Sequence, residues 1–142
     1  MYFWILVLGT IGGILMLATE FAGYNAPPSY YWYSIYVGTE NPDHIPYVPL
    51  LVTVAVMFFF NAIVGLLGLG VLKIPVGMTL LKIGRIFALI ILITGVAGII
   101  AFEIVMANSS ASDWWWGPGA FATIIGGALL LIQYIFVIKT KI

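Results

Sequence analysis

Apolar residues run almost unbroken through four stretches of this chain, and polar residues gather in the gaps between them. The stretches are about Tyr2–Ala22, Val48–Leu72, Val76–Ala107 and Pro118–Ile138. A membrane-spanning helix needs about 20 mostly apolar residues at a rise of about 1.5 Å each, so each stretch predicts one span. The gaps are "GYNAPPSYYWYSIYVGTENPDHIPY" (about 23–47), the short "KIPVG", and "NSSASDWWWG" (about 108–117). Pro46 and Pro49 open the second span and Pro118 the fourth, where a missing N–H is harmless because first-turn donors lack partners anyway. The first stretch lacks the basic start and the clean small-residue cleavage site of a signal peptide. The expected fold is therefore all-α, a single domain over residues 1–142 formed by an antiparallel bundle of four transmembrane helices.

Small and polar positions within the spans predict how they pack. Lipid provides no hydrophobic drive for helices to associate, so close approach relies on small residues and interhelical hydrogen bonds. Gly9 and Gly13 form a G-x-x-x-G, and Gly65 follows Asn61 by one turn. Gly84, Ala88, Ile91, Gly95 and Gly98 make a stripe on the third span; Gly119, Thr123, Gly126, Leu130 and Gln133 make one on the fourth. Asn61 and Gln133 are the expected intramembrane hydrogen-bonding residues. The short turn makes the second and third spans neighbours.

Composition sharpens the picture. Hydrophobic residues are 63% of the chain and charged residues 7%, against about half and a quarter in a soluble domain. Five Lys and Arg balance five Asp and Glu, so nothing points to nucleic acid. Cysteine is absent, which removes disulfides, thiolate nucleophiles and Cys-ligated metals. Lys73, Lys82, Arg85, Lys139 and Lys141 all sort to one side of the spans, and Glu20, Glu40, Asp43, Glu103 and Asp113 to the other. The positive-inside rule then expects a plasma-membrane protein with both termini cytoplasmic. Arg85 and Glu103 lie about 27 Å apart along one helix, so they mark opposite interfaces rather than a buried pair.

Chemistry is sparse. One histidine, His44, excludes paired-His metal motifs, and neither a nucleophile elbow nor a P-loop is present. No catalytic, cofactor or metal residue is expected. Glu20 and Glu103 form a candidate outer acidic cluster, with Asp43, His44 or Asp113 overhead. Trp114, Trp115 and Trp116 stand at the outer start of the fourth span, where indoles favour headgroup depth. They double as candidate partner contacts, together with Tyr30, Tyr31, Trp32, Tyr33 and Tyr36 of the first outer loop, since Tyr and Trp are enriched at interfaces. Alternation around Tyr31, Tyr33 and Ile35 fits a short β-segment, and a flap lying on the membrane surface fits equally. Asn108-Ser109-Ser110 is a glycosylation sequon on the expected outer side.

Cytoplasmic termini, a longer first outer loop, a minimal inner turn and the "GPGAFATIIGG" start of the last span resemble the layout of claudin-like tetraspans. The family's first-loop disulfide and Trp–Gly-Leu-Trp motif are both missing, so the resemblance implies topology and no site residues. Three functional classes remain. The leading expectation is a noncatalytic small subunit that stabilises a larger membrane complex or homo-oligomer, in contact with membrane lipids and other integral subunits. The alternatives are a small channel or transporter lined by Asn61, Thr94 and Gln133 below Glu20 and Glu103, and a tetraspan adhesion or scaffold protein.

Overall fold

A computed structural model describes every residue except 27–30, 40–43, 71–72, 110, 112 and 142, with the backbone alone at 26, 31, 32 and 141. The chain is mostly helical. Helix α1 covers Tyr2–Ala18, α2 Val48–Gly68 after a 3-10 turn at Ile45–Tyr47, and α3 Met78–Ala107. Helix α4 begins at Pro118–Phe121, passes through a π turn at Ala122–Gly126 and continues over Gly127–Lys141. Three helical stretches, Ile45–Gly68, Met78–Ala107 and Pro118–Thr140, are long and apolar enough to cross a membrane. Their outer faces expose Val56, Ile63, Ile93, Ile100, Ile104 and Ile125, as expected of helices that meet lipid rather than water.

Three segments that the pattern assigned to spans or loops depart from it. Helix α1 stops at Ala18, not Ala22, leaving 17 residues and about 26 Å of helix. Thr19 is extended there (φ −127°, ψ 166°) and its backbone N–H closes the last turn on the Leu15 carbonyl. Ala22 instead opens strand β1, Ala22–Ala26, which pairs antiparallel with β2, Tyr31–Ile35. Residues Asp113–Trp116, read as a loop at the membrane surface, form β3 and pair with the other edge of β1. The result is a three-stranded antiparallel sheet in the order β2-β1-β3. Helix α2 ends at Gly68 rather than Leu72 because the chain turns with Gly70 at φ 80°, a left-handed conformation glycine adopts freely.

Backbones come closest between α1 and α2. A Cβ added to Gly9 would sit 2.5 Å from the Ala62 nitrogen and 2.6 Å from the Phe58 carbonyl oxygen; Gly65 lies equally tight against the backbone of Tyr2 and Leu6. Only glycine permits that approach, and dispersion between the touching backbones holds the pair. Helices α2 and α3 meet through the Phe60 and Phe87 rings, 5.0 Å apart edge to face. Phe58, Leu81, Ile91, Leu130 and Tyr134 are fully buried at the centre.

Candidate functional site

Glu20 and Glu103 both lie at the sheet end of the bundle, and each accepts from indole N–H, Glu20 from one and Glu103 from two. Strand alternation sends successive side chains to opposite faces, and that separates the three adjacent tryptophans. Trp114 and Trp116 share one face and donate to Glu103 on α3, at 3.2 Å to Oε2 and 2.7 Å to Oε1. Trp115 points the other way and donates to Glu20 Oε1 at 2.6 Å. Glu20 Oε2 also accepts the Ser34 hydroxyl at 2.5 Å.

The register explains the second cluster. Gly23 pairs with Ser34 on one side and Trp115 on the other, so Glu20 joins the two outer strands across the central one. A Cβ on Gly23 would fall 2.6 Å from the Trp115 ring; the bare glycine is what lets the indole lie over β1. The backbone finishes the junction. Phe21 N–H donates to the Ile35 carbonyl at 2.8 Å, and Gly117 and Gly119 donate to the Phe21 and Glu20 carbonyls at 2.9 and 3.0 Å. The end of α1, both edge strands and the start of α4 are thereby tied together.

The opposite sheet face packs on α3. Ala22, Phe102 and Met106 are buried there with Trp114 and Trp116 against them. Tyr24 stacks on Tyr33, with centroids 5.2 Å apart at 27°, and its hydroxyl is hydrogen-bonded to Nε2 of the buried His44 at 2.9 Å.

Several expected site residues are thus not brought together as a free surface. Tyr33 and the three tryptophans are half-buried and engaged inside the sheet end. Tyr31 and Trp32 pair through their backbones with Ala26 and Asn25, whereas Tyr30, Glu40 and Asp43 lie outside the described residues. Tyr36 is exposed. Glu20 and Glu103 are not one cluster: they sit on separate donor sets. Among the described residues no group of three His, Asp or Glu side chains is placed to hold a metal. Asn108 is exposed past the end of α3 and donates its amide to the Ile104 carbonyl at 2.9 Å.

Within the bundle, the Asn61 amide donates to the Met57 carbonyl at 2.9 Å and its Oδ1 accepts the Tyr134 hydroxyl. Gly84 of α3 leaves room for that tyrosine. Gln133, expected to share this role, is half-buried one residue away. From Leu130 the buried stripe continues to Tyr134, Val137 and Ile138, the i+4, i+7 and i+8 positions of one helix face. Residues that sequence reasoning missed are Ser34, Tyr24, Gly23 and Tyr134. The chain matches no known protein family, no curated protein and no solved structure.

Proposed function

We propose that the chain is a noncatalytic subunit of a plasma-membrane assembly. In this reading all four helices cross the bilayer, both termini are cytoplasmic, and the sheet is an outward platform that holds a partner. The partner is a larger integral membrane protein or a second copy. One observation carries the reading: Glu20 and Glu103, the polar groups best placed for chemistry, are both committed as acceptors that brace the sheet. Among the described residues no strand covers the outer edge of β2, and an open edge is a template for pairing with another chain. The orientation rests on Lys73, Lys82, Arg85 and Lys139, all at the end of the bundle away from the sheet. A length of about 26 Å in α1 is close enough to the hydrocarbon thickness for local thinning to accommodate it.

A scaffold or adhesion role is the second reading, favoured by a sheet that draws strands from both outer loops. The channel reading has less support, because Asn61 is fully buried and bonded to Tyr134 amid Phe58 and Leu130. Gentle detergent extraction and native mass spectrometry test the proposal. The expected result is co-migration with other integral subunits or a discrete homo-oligomer, lost on Trp32→Ala with unfolding temperature unchanged. A lone monomer that clusters vesicles would favour adhesion, and one that conducts when reconstituted would restore the channel.

A further inference from the structure

Helices α2 and α3 touch at Phe60 and Phe87 but part towards the sheet, and a cavity of about 570 Å³ fills the wedge. Pockets for small ligands run from roughly 300 to 1,000 Å³. Its roof is the packed face of the sheet, with Phe21, Tyr24, Ile35 and His44; its floor reaches Met16 of α1 and Thr123 of α4. The wall on α3 is low because it carries Thr94, Ala97, Gly98 and Ala101, side chains too small to reach α2. The remaining side is open: Leu50 of α2 and Ile93, Ala97, Ala101 and Val105 of α3 line it and are exposed on the apolar surface of the spans. Access is therefore sideways, from the surface that meets lipid.

The lining specifies the chemistry of an occupant. Among the described residues that line it there is no Asp, Glu, Lys or Arg, and a phosphate or carboxylate drawn among them would lose its hydration with no countercharge from them. Polar groups gather at the roof, where the Tyr24 hydroxyl and the His44 ring are joined at 2.9 Å. A tyrosine hydroxyl both donates and accepts, and this pair is where a ligand oxygen would meet polar groups. Everything below is apolar apart from Thr94 and Thr123, and the Thr123 hydroxyl donates to the Ala120 carbonyl at 2.7 Å. From Ile93 to Met106 the lined face of α3 extends about 20 Å. Protein interiors are close-packed, and a void of this size leaves its lining without dispersion partners, which a hydrocarbon chain supplies.

We propose that this wedge binds one uncharged amphipathic lipid from the bilayer, its hydrocarbon chain between α2 and α3 and its oxygen head under Tyr24 and His44. This site is independent of the partner-holding role. The test uses the full chain in phosphatidylcholine vesicles with a diazirine-bearing octadecanol as photoreactive probe, labelled residues being mapped by peptide mass spectrometry. Labelling is expected within residues 47–54 and 93–106, competed by unlabelled octadecanol in preference to octadecane. Ala101→Phe places a ring in the opening from an exposed position and should cut labelling about tenfold, the effect of losing burial of about two methylenes. Ala97→Phe does the same from the adjacent position, should the first variant fold poorly by circular dichroism. Labelling spread evenly over all four helices, or unchanged in both folded variants, would overturn the site. Equal competition by octadecane would overturn the polar head assignment.

Discussion

A carboxylate near the edge of the hydrocarbon region is costly unless its oxygens are satisfied, and an indole supplies a single N–H on a large apolar ring. Glu103 takes two such donors, and Glu20 takes one plus the Ser34 hydroxyl. Trp115→Phe keeps most of the ring and removes only the donor, so it should destabilise the protein by about 1.5–3 kcal/mol, the range for a hydrogen bond to a charged group. Denaturant unfolding in detergent reads that loss. Gly23→Ala should also destabilise, because its Cβ meets the Trp115 ring. In a Trp115→Ala background the same substitution should cost much less, a non-additivity that marks direct contact; equal costs in both backgrounds would show that the indole does not lie over Gly23. The sequence displayed both acids and all three tryptophans. Their pairing was hidden because Glu20 and Trp115 are 95 residues apart and because strand alternation decides which indole faces which acid.

Local signals were strong for the helices and weak for the strands. Asn61 within an apolar run demanded an interhelical partner whatever the fold, since a lone amide in lipid is unsatisfied. The partner's identity depended on which of two adjacent residues follows the buried Leu130 on its face, and it is Tyr134, four residues on, rather than Gln133. Tyr134→Phe should cost about 1 kcal/mol, the usual scale of such bonds in membranes, measured by unfolding in mixed micelles; Gln133→Leu should change stability little. "DWWW" carries the composition of a membrane-surface anchor, and nothing within the four residues outweighs it. Strand β3 exists because β1 offers it a ladder from about 90 residues upstream in the chain, a non-local condition no short window contains. Tyr31–Ile35 was open to a β-segment or a surface flap, since its alternation is internal but its pairing with β1 is not.

Across the whole molecule, one end carries the sheet with Glu20, Glu103 and Asp113, and the other carries the described Lys and Arg side chains. Because the chain has no cysteine, single reporters test orientation cleanly. Asp113→Cys should react with a membrane-impermeant maleimide on intact cells, and Thr140→Cys only after permeabilisation. The reverse pattern would invert the proposed topology. Replacing Lys73, Lys82 and Arg85 together with Gln should give a mixed population, since in the proposed topology the turn would lose the cations that favour the cytoplasmic side.

Environment, helix number and the polarity of the two ends follow from the sequence alone, because hydropathy, length and charge act position by position and need no knowledge of neighbours. The sheet, the division of the tryptophans between two carboxylates, the partner of Asn61 and the wedge between α2 and α3 were decided only in three dimensions. Each is set by residues far apart in the chain meeting at one register or one crossing, where a bare glycine or a run of small side chains determines how near two elements can come.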